Sequence, residues 1–200
     1  MTHFIRKSIA GAAWLLAATG AHAANFQLQG NVVFHNDVVQ IDFSIASAAT
    51  DVKIWTDSWL SGLNFDPSLA LWSQAGSVFS LLQLNDDDDT VATGQGFYDA
   101  GIVLPQLAAG QYRVTLVAAV NAPNGNLLTQ GFDYDSETPI PIGQWNQPTY
   151  DPNANDQKGS FWRLNLANVD QASVVPEPAS WLLLALGALA LVARQPKVRA

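Results

Sequence analysis

The sequence predicts an all-β protein, an antiparallel β-sandwich of the jelly-roll or immunoglobulin-like type. Apolar and polar residues alternate with a period of two in several short segments, which places alternate side chains on opposite faces of a strand. Turn residues separate these segments, and no window of about 12 residues in the body has a helical period. Fifteen of the 17 acidic residues are aspartate, which favours turns and cation sites over helix interiors.

Composition limits the functions that the chain can have. Its 200 residues suffice for one domain of ordinary size with short appendages. Absence of cysteine excludes disulfides and cysteine-ligated metal sites. The formal charge of −8 argues against a nucleic-acid partner, because such proteins need a basic surface.

The first 23 residues have the pattern of a secretory signal peptide. Arg6 and Lys7 form a positive start, residues 9–20 are a short apolar stretch, and residues 21–23 (Ala-His-Ala) form a small-residue cleavage site. The Sec machinery and signal peptidase are therefore expected partners, and we expect the mature chain to begin near Ala24.

Residues 24–166 are predicted to form the β-sandwich ectodomain. The clearest alternation lies in residues 39–45, where the odd positions are apolar and the even positions are polar. Four further segments alternate in the same way, the outer two of which are predicted to be the first and last strands: residues 26–29, 51–56, 111–116 and 161–166.

Less regular segments lie between these strands. Residues 78–84 are almost continuously apolar, which predicts a strand buried on both faces. The dipeptide at residues 124–125 (Asn-Gly) predicts a hairpin between segments 112–120 and 127–132. Residues 133–160 hold four prolines and little alternation, so we predict a long proline-rich loop.

The C-terminal end has the pattern of a membrane tether. Residues 167–178 are predicted to be a linker, residues 179–193 a single transmembrane helix and residues 194–200 a basic cytoplasmic tail. The apolar run of residues 181–193 would rise about 20 Å as a helix, less than the roughly 30 Å hydrocarbon core, so snorkelling of flanking side chains or local thinning of the bilayer would be needed.

The end of the chain also resembles a known signal. Val175, Pro176, Glu177 and Pro178, followed by an apolar stretch and a basic end, resemble the PEP-CTERM sorting signal of Gram-negative bacteria. The resemblance implies exosortase as a partner, with processing at or near this motif, and a link to exopolysaccharide and biofilm. It also implies an inner-membrane tether before processing and a cell-surface or extracellular location afterwards.

The body carries a second resemblance. Four segments in order along the chain resemble the ectodomains of PEP-CTERM proteins, which are similar to bacterial pre-peptidase C-terminal domains. This resemblance implies a β-sandwich of jelly-roll-like topology and little about activity. The segments are residues 55–59, 64–72, 85–89 and 108–115.

Four consecutive aspartates make the most unusual short segment. Their carboxylates repel each other, which favours solvent exposure or a bound cation. Calcium, which takes six to eight oxygen ligands, is the candidate cofactor. A solvated acidic turn is the alternative. The proposed ligands are Asp86, Asp87, Asp88 and Asp89, with Asp66 from a nearby loop and Asp57 or Asp99 as further sources.

No catalytic residue is predicted, and we expect the protein not to be an enzyme. His35 is the one histidine outside the predicted signal peptide, and it lies in a segment with turn character. No Gly-x-Ser-x-Gly motif is present, so a serine hydrolase has little support. Sixteen acidic residues make chance carboxylate pairs certain, which weakens a glycosidase interpretation.

Aromatic residues suggest one alternative function. Trp145 and Tyr150 lie in the proline-rich loop and are the candidate ligand contacts, because aromatic faces stack on sugar rings. The main expectation is an exported, non-enzymatic surface or matrix protein. The alternative is a carbohydrate-binding module that engages exopolysaccharide, and a hydrolase is the least favoured.

Overall fold

Two antiparallel sheets packed face to face make up the fold. The computed structural model describes residues 23–148 and 157–176. The front sheet has the strand order β1-β8-β3-β6, and the back sheet has the order β5-β4-β7-β2-β9. The strands are β1 (Ala24–Asn31), β2 (Val39–Ile45), β3 (Ala49–Thr56), β4 (Pro67–Ala75), β5 (Val78–Asn85), β6 (Gly101–Leu107), β7 (Gly110–Ala118), β8 (Phe161–Val169) and β9 (Gln171–Val174).

Alternation in the sequence becomes alternation between core and solvent. On β2, Ile41, Phe43 and Ile45 are buried between the sheets, whereas Asp42 faces outward. Asp42 lies opposite Arg113 of β7, and the two side chains form a two-point ion pair with N–O distances of 2.6 and 2.9 Å. The inward residues of both sheets form one core.

The two ends of the sandwich differ in their connections. At one end the strands are joined by one to three residues: 46–48, 76–77, 108–109 and 170. At the other end, which we call the exit end, the connections are long: residues 32–38, 57–66, 86–100 and 119–160. The two sheets meet there, since the Gly101 amide at the start of β6 donates to Asn85 Oδ1 at the end of β5, at 2.7 Å.

The sequence predicted the fold class and most strands correctly. The alternating segments coincide with β1, β2, β3, β7 and β8.

Among the described residues no helix is long and apolar enough to cross a membrane. The predicted signal peptide (1–23, except its last residue), transmembrane helix (179–193) and tail (194–200) lie outside the described residues.

Burial on both faces belongs to β4 rather than to residues 78–84. Those residues form β5, an edge strand whose side chains are exposed or half-buried. Strand β4 lies between β5 and β7, and its residues 67–72 are all buried. Its outer face is covered because Trp72 packs with Phe132 from the long 119–160 connection. The apolar composition of a segment does not indicate which strand a loop distant in sequence will cover.

Two further expectations differ from the structure. Residues 127–132 hold a short 3-10 helix, Leu128–Gln130, so the predicted hairpin between segments 112–120 and 127–132 does not form. The chain does reverse near Asn124–Gly125, but the pairing is limited to one antiparallel bridge between Pro123 and Phe132. Residues 167–174 were predicted to be linker, yet they complete β8 and form β9. The sequence did not predict β9, because its four residues, Gln-Ala-Ser-Val, are too few to show a clear alternation.

Candidate functional site

Strand β9 carries the chain to the C-terminal motif. Near the end of β8 the backbone at Asn168 has a left-handed φ of 63°, and after Val169 the chain crosses to the back sheet. Asp170 secures this crossing, because its amide donates to Ser44 O at 3.0 Å and its carboxylate accepts from the Ala46 amide at 2.6 Å. Strand β9 then pairs with the edge of β2, with Ala172 opposite Phe43.

The motif begins on the surface of the sandwich. The Val175 amide donates to Gln40 O at 2.8 Å, which extends the β2–β9 pairing by one residue. Pro176 is the last described residue, and Glu177 and Pro178 lie outside the described residues. The chain therefore leaves the domain at the exit end with no described spacer between β9 and the motif.

A cavity of about 520 Å³ lies beside this exit. The Trp162 ring, which is almost fully buried, is part of its lining and packs on Gly30, where a Cβ atom would lie 2.8 Å from the ring. Polar and apolar residues share the rest of the lining, which consists of Gln29, Asn31, residues 38–40 and residues 174–176. Sequence reasoning missed this cavity, because its residues come from separate strands and share no motif.

Comparison with known proteins identifies the C-terminal end. Residues 174–198 match the family model described as the PEP-CTERM protein-sorting motif. No curated protein matches the chain. The motif indicates an exported protein that is sorted by exosortase and anchored in the membrane before processing. The match begins at Val174, the last residue of β9, so sandwich and signal are continuous.

The acidic segment lies at the exit end, between β5 and β6. Burial and the neighbouring charge of Asp86 raise the pKa of Asp87 to about 6. Burial also raises the pKa of Asp86, against the opposing effect of a hydrogen bond with Ser68. Asp88 is engaged locally, because its Oδ1 accepts from the Thr90 amide at 2.9 Å and hydroxyl at 2.6 Å.

The other proposed calcium ligands have different surroundings. The Asp99 carboxylate is buried and accepts from Thr56 Oγ1 and from the amides of Ser58, Trp59 and Gly96, at 2.8–3.1 Å. It therefore ties the 57–66 connection to the 86–100 connection.

Asp57 and Asp66 are also held within the fold. Asp57 forms an ion pair with Arg163 at 2.6 Å. Asp66 is buried, and its backbone is held by Gln147. In residues 23–148 and 157–176, no three histidine or acidic side chains are grouped to hold a metal ion. Calcium binding at Asp86–Asp89 stays a prediction.

Trp145 lies inside the protein rather than on its surface. It is only 9% exposed and packs with ring centroids 5.0 Å from His35 and 6.1 Å from Tyr134. Tyr150 lies outside the described residues. The structure thus gives Trp145 a packing role, and ligand contact by the Trp145–Tyr150 pair stays a prediction.

His35 is held by both ring nitrogens. Its Nδ1 accepts from the Ile140 amide at 3.1 Å, which places the proton on Nε2. Nε2 donates to Glu137 Oε2 at 3.1 Å, and the ring is fully buried. The histidine connects the first long connection to the 119–160 connection.

Proposed function

We propose that the protein is an exported, non-enzymatic component of the cell surface or extracellular matrix. In this proposal a signal peptide directs export, and exosortase delivers the acidic β-sandwich to an exopolysaccharide or biofilm setting. The observation that carries the proposal is the sorting motif at residues 174–198, continuous with the last strand of a folded domain.

The position of β9 supports delivery of an intact domain. The last described backbone hydrogen bond to the sandwich is made by Val175, before Glu177 and Pro178. Processing within or after the Pro-Glu-Pro sequence would leave all nine described strands in the released product. The sandwich would thus keep its core and its edge pairing after release.

The surroundings of His35 support a non-enzymatic role. A general base must reach the proton it removes, and both nitrogens of this buried ring are already occupied by Ile140 and Glu137. His35 therefore acts as a bridge between two connections.

Carbohydrate binding is the second candidate function. The cavity beside the exit supports it, because amide side chains and an indole ring are the groups that bind sugars. Gln29 is exposed at this cavity. Binding of purified exopolysaccharide that is lost in Gln29→Ala and kept in Gln106→Ala, an exposed glutamine on β6, would favour this function.

Replacing Pro176, Glu177 and Pro178 with alanine tests sorting. The altered protein should stay uncleaved in the inner membrane, because the processing sequence is absent while the apolar stretch remains. Cell fractionation with mass spectrometry of the released C-terminus measures the outcome.

The matched control replaces Thr138 and Pro139, both exposed and far along the chain from the motif, with alanine. This control should be released like the unaltered protein. Normal release of the Pro176–Pro178 variant would contradict sorting through the motif.

A further inference from the structure

The most exposed large apolar side chains gather at the exit end. Leu63 is 73% exposed, Phe97 is 65% exposed and Val33 is 60% exposed, and all three lie on its long connections. Leu60 adds a fourth exposed side chain there. At the opposite end of the sandwich, Val78, the first residue of β5, is also an exposed apolar residue. We call Val33, Leu60, Leu63 and Phe97 the apolar rim.

The backbone that carries Leu60 and Leu63 adopts an energetically unfavourable conformation. Leu60 and Ser61 have φ values of 51° and 56°, in the left-handed region that L-residues other than glycine rarely adopt. Such conformations persist only where surrounding contacts impose them, and they cluster at functional sites such as ligand clamps. The exposure of Leu60 and Leu63 is thus a feature of a fixed loop.

Buried polar contacts fix this loop. The Asp99 carboxylate accepts from the amides of Ser58 and Trp59, and the Asn64 side chain donates to Ser58 O at 2.8 Å. The buried Lys158 ammonium donates to Gly62 O at 3.4 Å.

The rim is continuous with neighbouring parts of the exit end. Trp59 packs edge-on to Tyr98, which packs edge-on to Phe97, with centroids 5.2 and 4.9 Å apart. Leu63 O accepts from the Gly159 amide at 2.8 Å, and the next residue, Ser160, accepts from the Val32 amide at 3.0 Å. Leu63 and Val33 are therefore joined through residues 159–160.

The C-terminal chain leaves from this same end. Strand β9 is antiparallel to β2, so Val174 lies beside Ile41 at the end where β2 begins. From Pro176 to Trp181, where the apolar run starts, five residues can span at most about 18 Å. A chain anchored by that run must keep its exit end close to the membrane.

We propose that the apolar rim docks on the surface of the bilayer to which the chain is tethered before processing. This inference rests on the proposed function only in requiring the C-terminal anchor. Apolar side chains at a membrane surface insert about 5–10 Å, to the boundary between headgroups and acyl chains. Large exposed apolar patches mark such sites. Because Asp86–Asp89 lie at the same end and repel anionic headgroups, the fitting surface is zwitterionic lipid.

The absence of native cysteine allows a direct test. Leu63→Cys and Phe97→Cys report on the rim, and Val78→Cys, also an exposed apolar residue, is the matched control at the opposite end. Each full chain is labelled with an environment-sensitive fluorophore and reconstituted into vesicles of phosphatidylcholine and phosphatidylethanolamine. Labels at 63 and 97 should shift to the blue and be quenched by brominated acyl chains, whereas the label at 78 should be quenched by aqueous iodide.

Two readouts separate docking from anchoring. Flotation of the full chain with the vesicles tests the anchor, on which the proposed function rests. If the chain floats and the labels at 63 and 97 are as accessible to iodide as the label at 78, docking is overturned while the anchor stands. Rim labels protected from iodide but untouched by brominated lipid would assign the surface to a second copy of the chain or another protein, and would also overturn docking on lipid.

Discussion

At the scale of single residues, the raised pKa of Asp87 makes the stability of the fold depend on pH. Burial and the charge of Asp86 raise the pKa of Asp87 to about 6, above its ordinary value of 3.8. The folded protein therefore holds this proton more tightly than the unfolded chain does. The resulting stability is fully present below about pH 4 and is lost as the pH rises through about 6.

Asp87→Asn should therefore raise the free energy of unfolding at pH 7.5 and change it little at pH 4. The gain should stay below about 1 kcal/mol, because the Asp87 side chain is only partly buried and solvent screens its charge. Denaturant unfolding at both pH values measures it. Asp89→Asn removes an equal charge from the same segment as a control. Equal effects of Asp87→Asn at the two pH values would contradict the raised pKa.

At the scale of single elements, β9 determines how the motif is presented. Its four residues pair with β2 at the edge of the back sheet, and Ala172 packs against the core. Pairing of this strand keeps Val175 and Pro176 on the domain. Loss of β9 would convert residues 171–176 into the linker that the sequence predicted.

Ser173→Pro should detach β9, because proline cannot donate to the ladder with β2 and Ser173 lies opposite Asp42. We expect a loss of about 1–3 kcal/mol in the free energy of unfolding and faster proteolysis within residues 168–176. Denaturant unfolding and limited proteolysis with mass spectrometry measure these effects. Ser173→Ala should behave like the unaltered protein. Unchanged proteolysis in Ser173→Pro would show that β9 is not held by its pairing.

At the scale of the whole molecule, acidic residues far outnumber basic residues. Residues 24–174 hold sixteen acidic residues and four basic ones, a formal net charge of −12. Three of the basic side chains, Lys53, Arg113 and Arg163, lie in ion pairs, and the fourth, Lys158, is buried. The basic side chains therefore leave most of this negative charge unbalanced, and self-repulsion of that charge opposes the compact state.

Calcium should raise the melting temperature of the protein more than magnesium does, if Asp86 and Asp87 take part in a site with neighbouring carbonyl groups. At a calcium concentration one hundred times Kd, the gain would be about 2.7 kcal/mol. Magnesium should do less, because it demands octahedral geometry and sheds water reluctantly. Thermal unfolding in calcium, magnesium and chelator measures the difference.

The double variant Asp86→Asn with Asp87→Asn should lose the calcium-specific gain. Asp51→Asn with Asp133→Asn removes two exposed charges elsewhere and should keep the gain. Equal stabilisation by calcium, magnesium and high sodium chloride would mean that general charge screening acts at a solvated acidic turn.

The sequence alone determined the fold class, six of the nine described strands (β1, β2, β3, β5, β7 and β8) and the sorting motif. Each of these features depends on residues that are close together in the sequence. Alternation in β2 follows from strand geometry, and the motif is one contiguous segment. Of the candidate site, the sequence indicated Val175 and Pro176 but not the cavity beside them, whose residues come from β1, β2, β8 and the end of β9.

Tertiary structure decided which apolar residues are covered and where the chain leaves the domain. Residues 67–72 are buried on both faces because Phe132, from the 119–160 connection, packs over the outer face of β4. Trp145, in the same connection, is enclosed by His35 and Tyr134. Residues 78–84, by contrast, remain at an edge of the back sheet. The left-handed backbone at Leu60 and the pairing of β9 with β2 likewise depend on distant partners. Burial and strain depend on long-range contacts, and a local pattern of residues carries no information about those partners.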